Sequence, residues 1–416
     1  MEPRVDSQQE RKVLMNILVL TNLYPYEKDD NPDITKVVSY FTREWVKQGH
    51  NVVAVISSSS FPSVYYKVGK YAQKFISEHY VIAAAPNQLW TKEFEFDDCG
   101  VKAINMPMQK VIPKGKYLDV QFRNQVEKIK SKLAKMNFVP DVITGHWANP
   151  QIRLVSDLAK YYNVKSALVL HSDHTKALCE RYNVNDYMDK IDHFGFRSKT
   201  ALEIASGHLN FKNEPFICYS GVPEKFLSYS IDVSEKDFDS QKLTMITAGR
   251  LIECKNINSV IDAAHKVLRD ADFEYIVAGE GPLMQPLKEQ AESCGLSDRI
   301  NFLGQIDRGV LQRKMAESQL YVMISHDTFG LVYIEAMLQG CIVIASRDGG
   351  IDGVVVDGVN GFLCEEGNAE ELAEVIEKIR ALSPEEKRRI AANAIETAKN
   401  FSEAKMSKQY LENILK

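Results

Sequence analysis

The sequence contains no CxxC pair, and its seven cysteines are odd in number and widely scattered. That excludes a disulfide framework or a zinc ribbon and predicts reduced thiols in a cytosolic protein. No apolar run approaches the roughly 20 residues that a membrane-spanning helix needs. Residues 1–14 form a polar tail of mixed charge without the apolar core of a signal peptide. Cationic excess is missing too: 51 Lys and Arg stand against 56 Asp and Glu, a net charge of -5. A chain of that balance does not have nucleic acid as its main partner, because phosphate-backbone binding needs a basic domain. No repeat of 20–50 residues is present, so a solenoid is excluded. After the first apolar run stands Leu20-Thr21-Asn22-Leu23-Tyr24-Pro25. A dinucleotide dehydrogenase needs GxGxxG there.

What is present is ordinary globular material, 45% hydrophobic and 26% charged over 416 residues. That length suits two domains better than one. Short apolar, β-rich runs alternate with helical patterns. Residues 15–20, 51–56, 141–144 and 166–170 read as buried strands, with helices over 32–47 and 150–162. The stretch 223–242 is polar and lacks apolar periodicity, which predicts a linker. A second alternating series follows, with strands at 243–248, 273–278, 300–302, 320–324 and 342–345. The pattern predicts two doubly wound α/β domains with parallel sheets, over 15–222 and 243–400, and a last helix within 401–416 that crosses back to the first. In such sheets ligands bind beyond the carboxyl ends of the strands.

The unusual residues fall there. Gly249-Arg250-Leu251-Ile252-Glu253-Cys254-Lys255 follows a strand and precedes a helix, so two cations meet a helix N-terminus, a place suited to a diphosphate. A solvated loop with two surface cations is the alternative. Gly279-Glu280-Gly281-Pro282 also follows a strand; its glycines permit close backbone approach, as they would in a tight turn without a ligand. In Ser325-His326-Asp327-Thr328-Phe329-Gly330-Leu331, a helix starting near Phe329 would offer the N–H groups of Gly330 and Leu331 to phosphate. Asp327 and Glu335, eight positions apart, can flank one bound molecule as acceptors for sugar or ribose hydroxyls; an N-cap aspartate is the other reading of Asp327. Gly349-Gly350 and Asp357-Gly358-Val359-Asn360-Gly361 also read as turn chemistry. His146-Trp147 and His171-Ser172-Asp173-His174 each follow a strand, where a histidine is a hydrogen-bond donor, a base or a structural residue.

Taken together and in this order, these segments resemble the retaining glycosyltransferase family 4, which has the GT-B fold of two Rossmann-like domains facing across a cleft. The resemblance runs from Met15 to the C-terminal helix and is densest in the second half. It implies that Arg250 and Lys255 hold the donor diphosphate and stabilise it as it leaves. Glu335 would bind the ribose hydroxyls, and Asp327 would stand for the family's first glutamate, on the donor sugar. Phe329, Gly330, Leu331 and Gly281 would line the donor. The segment Gly304-Gln305-Ile306 would meet the base, and His171 would lie near the anomeric carbon. On the acceptor side stand His146 and Asp173. Three positions depart from the family. Asp327 is one methylene shorter than Glu. Asn31-Pro32-Asp33-Ile34-Thr35-Lys36 replaces a glycine-rich loop. Ser220 stands before Gly221-Val222 where Asn is usual.

The implied activity is transfer of a hexose-type sugar, with retention, from a UDP- or GDP-type donor to a saccharide or lipid-linked saccharide, in bacterial surface polysaccharide or glycolipid synthesis. No cofactor and no metal are expected. Asp237-Phe238-Asp239 matches an Asp-x-Asp metal motif but lies in the polar linker, and His171-x-x-His174 is too sparse for zinc. The alternative is a protein of this fold that binds a nucleotide sugar without catalysis. Residues 61–136 carry 13 Lys and Arg against seven Asp and Glu. That stretch reads as a solvated surface or as a peripheral contact with the inner face of the plasma membrane.

Overall fold

The apolar runs do become parallel strands. The computed structural model describes residues 14–28, 35–61, 67, 88–110, 116–171, 175–325 and 329–416. Its strands are β1 (Asn16–Thr21), β2 (Asn51–Ile56), β3 (Ser59–Ser60), β4 (Phe94–Asp98), β5 (Val101–Asn105), β6 (Met108–Gln109), β7 (Val142–His146), β8 (Lys165–Leu170), β9 (His193–Phe196), β10 (Phe216–Ile217), β11 (Leu243–Ala248), β12 (Phe273–Ala278), β13 (Ile300–Gly304), β14 (Leu320–Met323), β15 (Ile342–Ser346) and β16 (Phe362–Cys364). Contacts divide the chain into two compact units. One holds the chain to Leu168, Asp186–His193 and Ile414–Lys416; the other holds Val169–Asn185 and Phe194–Asn413.

In the first unit, β1 lies between β2 and β7 and is parallel to both, from Asn16 opposite Asn51 to Thr21 opposite Ile56. Strand β5 continues the parallel set beyond β2, and β4 closes the edge antiparallel to β5. Ile17, Leu18, Val19 and Leu20 are fully buried, as a strand covered by helices on both faces must be. The covering helix Val37–Lys47 turns Val38, Phe41 and Trp45 inward and ends at Gly49, whose φ of 93° suits glycine. Tyr24, just after β1, is tied down: its hydroxyl donates to Asp98 at 2.7 Å, and Arg43 pairs with the same carboxylate.

The second unit contains the parallel pair β9 and β10 and a six-stranded parallel sheet in the order β13-β12-β11-β14-β15-β16. From β11 the chain steps to β12 and β13 on one side, then returns to β14 on the other. The order therefore reverses between β11 and β14, the kind of place where such sheets bind ligands, beyond the carboxyl ends of the strands. The helix Ile257–Leu268 packs Val260, Ile261 and Ala264 onto this sheet. The helices behind it start from side-chain caps: Asn368 accepts from Glu370 and Glu371 N–H, and Ser383 forms a capping box with Glu386.

Residues 223–242 are more ordered than a polar linker requires. They include the short helix Glu224–Ser228 and the turn Val233–Glu235, and Phe238 is buried in the core of the six-stranded sheet. Lys236 is buried as well. Its ammonium donates to the carbonyls of Met315 (2.7 Å), Ala316 (2.9 Å) and Ser318 at the end of the helix Arg308–Glu317. Those are the carbonyls that a helix C-terminus leaves unsatisfied, where a cation is favourable. At the C-terminus of the chain, the helix Glu403–Leu415 lays the Tyr410 ring 5.7 Å from Phe216.

Candidate active site

Three strand-end loops of the six-stranded sheet are stitched together by backbone. Gly249 N–H donates to Ala278 O at 3.0 Å, Leu251 N–H to Glu280 O at 2.9 Å, and Gly279 N–H to Gly304 O at 2.8 Å. The fit is so close that a Cβ on Gly279 would fall 1.8 Å from Gly249 O, and one on Gly281 would fall 2.3 Å from Leu251 O. Close approach at Gly281 is thus approach to protein backbone.

The loop after β11 runs through an exposed Arg250 and the short turn Glu253–Lys255 to Asn256, which sits in the left-handed region with φ 50°. Asn256 then donates its amide to Ile324 O at 2.8 Å, which fastens this loop to the end of β14. Lys255 folds back toward the end of β11. The position a Gly249 Cβ would take is 3.8 Å from Lys255 Cε and 3.9 Å from Met323 Sδ. The lysine stem therefore lies over the ends of β11 and β14, where the strand order reverses.

Beyond β14, the helix Leu331–Leu338 starts at Gly330, which has φ 69°, and no side chain caps it among the described residues. Its placement is fixed by Tyr333, whose hydroxyl donates to Met323 O at 2.5 Å and lies 3.2 Å from Ser325 Oγ. Phe329 is used in packing: its ring lies 5.0 Å from Tyr219 and 6.0 Å from Phe401. Glu335, on the same helix, is only 8% exposed. It accepts from Arg308 Nη2. Burial pushes the Glu335 carboxyl above its ordinary range, and the Arg308 charge pulls it part of the way back. Arg308 opens its helix next to the cap residue Asp307, and its guanidinium lies 4.5 Å above the Phe226 ring. Gly304 ends β13 at φ 66°, and Ile306 is half-buried two residues on.

The second unit thus gathers Arg250, Lys255, Gly281, Gly304, Ile306, Phe329, Gly330, Leu331 and Glu335 at the carboxyl ends of one sheet. Asp327 and Asp173 lie outside the described residues. His171 is buried just after β8 in the second unit, whereas His146 ends β7 in the first. His146 is fully buried, with its ring stacked 6.2 Å from Phe41. Of the Asp-x-Asp pair, Asp239 pairs with Arg388, and Asp237 accepts from Ser240 N–H at 3.0 Å. Asn360 is spent on its own turn and on Thr397. Ser220 accepts a hydrogen bond from the buried Arg197. In the basic stretch, Lys128 pairs with Glu93, Lys130 with Glu127 and Lys132 with Glu95. No described helix is long and apolar enough to cross a membrane. Sequence reasoning missed Arg308, because nothing at its position signals a partner 27 residues away.

Known proteins resemble the chain on two levels. In sequence it is 30% identical over 185 residues to N-acetyl-alpha-D-glucosaminyl L-malate synthase of Bacillus anthracis, covering 44% of this chain and 46% of that one. The chain thus spans about half the length of that curated relative. In structure it matches a glycosyltransferase from Rickettsia africae (TM-score 0.66, 16% identity, 97% of this chain and 99% of the other). It also matches Anabaena Alr3699/HepE solved in complex with UDP (TM-score 0.65, 20% identity, 96% and 100%). Residues 230–397, which hold the whole six-stranded sheet, match the family Glycosyl transferases group 1, and the chain has the GT-B fold of its glycosyltransferase neighbours.

Proposed function

We propose that this chain is a retaining glycosyltransferase that takes a hexose-type sugar from a nucleotide-diphosphate donor of the UDP or GDP type. The observation that carries the reading is Lys255 lying over the ends of β11 and β14, with the exposed Arg250 in the same loop and a helix, Leu331–Leu338, that no described side chain caps following β14. Glycosyl transfer must stabilise an oxocarbenium-like carbon and a departing anion. Two cations and the N–H groups of Gly330 and Leu331 answer the second need without a metal ion. Glu335 binds the ribose hydroxyls, and the backbone from Gly304 to Ile306 meets the base. His171 stands near the anomeric carbon. With no carboxylate nucleophile assigned in the first half, the acceptor attacks from the front face and the leaving phosphate takes its proton. The acceptor is a saccharide or lipid-linked saccharide, and the basic stretch 61–136 is either a solvated surface or the place of a peripheral contact with an anionic membrane.

Thermal unfolding against a panel of nucleotides and nucleotide sugars tests this. A ligand at 100 times its dissociation constant adds about 2.7 kcal/mol to stability. One nucleoside diphosphate should raise the midpoint, and Arg250→Ala and Glu335→Ala should each remove the rise. A panel without any shift would leave the donor site without support.

A further inference from the structure

We infer that Asn256 is a positioning residue for the donor diphosphate and acts through Lys255 beside it. The inference rests on the role proposed for Lys255 and names the side chain that fixes the lysine's loop in place. An asparagine at the start of a helix ordinarily accepts from the first N–H groups of that helix. Asn256 opens the helix Ile257–Leu268, yet its side chain caps none of those groups. Its backbone is left-handed, with φ 50° and ψ 37°, a conformation that asparagine adopts more readily than most residues. The amide donates instead to Ile324 O at 2.8 Å, 68 positions along the chain. Gly367 lies against the same side chain: a Cβ there would stand 3.4 Å from Asn256 Cγ.

The acceptor belongs to a short run that is held at every residue. Met323 ends β14, Ile324 and Ser325 follow it, and all three are buried. A buried carbonyl needs a partner. Each of these receives one from a different segment: Tyr333 on the helix Leu331–Leu338 donates to Met323 O at 2.5 Å, Asn256 to Ile324 O, and Ser346 at the end of β15 to Ser325 O at 3.0 Å. Of the three donors, only Asn256 comes from the stretch that carries Arg250 and Lys255. Within that stretch the backbone bonds around Lys255 are local: Lys255 N–H donates to Ile252 O at 3.1 Å, and Asn256 N–H to Glu253 O at 3.0 Å. Local bonds keep the shape of a turn, whereas the Asn256 amide ties the turn to another strand. A cation held before the ligand arrives loses less freedom on binding. The tie therefore shows as affinity for the second phosphate of the nucleotide.

The test uses the full chain and measures dissociation constants by calorimetry for UDP and UMP and for GDP and GMP. The proteins are the parent, Asn256→Gly, Lys255→Ala and the double variant. Glycine keeps the left-handed backbone and removes the amide. In the base series that binds the parent more tightly, the diphosphate should bind about tenfold or more tighter than the monophosphate, as a charge-assisted contact provides. Asn256→Gly should cut that ratio about threefold or more and leave the monophosphate nearly as tight as before. In the Lys255→Ala background the same change should alter the ratio by less than about twofold, because the two residues act as one unit. A purely structural role would lower the unfolding midpoint and weaken both nucleotides together, which leaves the ratio alone. An unchanged ratio in Asn256→Gly, or an equal loss in both backgrounds, overturns the inference while Lys255 keeps its role. A parent ratio near one, or an unchanged ratio in Lys255→Ala, takes Lys255 off the diphosphate and this inference with it. Failure of all four nucleotides to bind the parent protein removes the donor site itself.

Discussion

Two glycine-bearing turns at the ends of the same sheet look alike on paper and do different things. In Gly279-Glu280-Gly281 the space a side chain would occupy is filled by the backbone of Gly249 and Leu251. In Phe329-Gly330-Leu331 the glycine is needed for its left-handed φ of 69°, which lets the chain turn into a helix whose start no described side chain caps. The first turn holds the loops together; the second starts a helix, and its N–H groups are the ones proposed to meet the donor. A glycine after a strand therefore says that something comes close, and only the packing says whether it is protein or substrate.

Substitutions sharpen this contrast. The largest effect is expected at the cation in the loop beyond β11. Lys255→Ala should lower turnover of the nucleotide sugar by roughly 10²–10³-fold with little change in the unfolding midpoint, as loss of one preorganised contact does. Wild-type turnover in that variant would take Lys255 out of the mechanism. Next, Gly281→Ala should destabilise the protein by about 1–3 kcal/mol in denaturant unfolding, because the new methyl meets the Leu251 carbonyl. Its nucleotide affinity, measured on folded protein, should be nearly unchanged. Gly330→Ala should do the reverse. It should cost only about 1–2 kcal/mol of stability for the left-handed backbone and weaken nucleotide binding clearly. If both variants lose stability and affinity in the same proportion, the division between the two turns is wrong.

The smallest effect concerns Glu335. Its carboxyl is raised in the folded state, mainly by burial, so folding disfavours the ionised form. The penalty is absent below the ordinary carboxylate range and is fully present once pH has risen past the raised value. Glu335→Gln should therefore gain stability over the parent protein at pH 7.5, and the gain should shrink toward pH 4. Thermal unfolding at the two pH values reads the difference. A gain that is equal at both would mean that charge burial is not its cause. Nucleotide affinity should fall in the same variant, because an amide accepts fewer hydrogen bonds from a diol than a carboxylate does.

Much of this was legible in the sequence, for physical reasons that differ by element. The strands of the second sheet were readable because continuous apolar runs such as Leu243–Ala248 and Phe273–Ala278 have few other uses. Arg250 and Lys255 stood out in the sequence because they follow a strand directly, and the structure puts them in the loop beyond β11. Arg308 did not stand out, since its contact with Glu335 joins the start of one helix to the middle of another, and nothing local relates the two. The stretch 223–242 was read as a plain linker because its polar composition hides two anchors, Phe238 and Lys236. Each is a single residue, and periodicity does not register single residues. The packing of Phe329 on Tyr219 and Phe401 was not legible, because both partners lie far along the chain on either side.

The buried ammonium of Lys236 gives the helix Arg308–Glu317 an unusual mechanical character. One end is set by the Asp307 carboxylate, which accepts from the Gly309 N–H, the other by a cation sunk among its last carbonyls. A ten-residue helix fixed at both ends is a stiff rod about 15 Å long. Arg308 rides on one tip and Lys236 grips the other, so the guanidinium beside Glu335 and the segment that carries Lys236 are anchored to the same short helix.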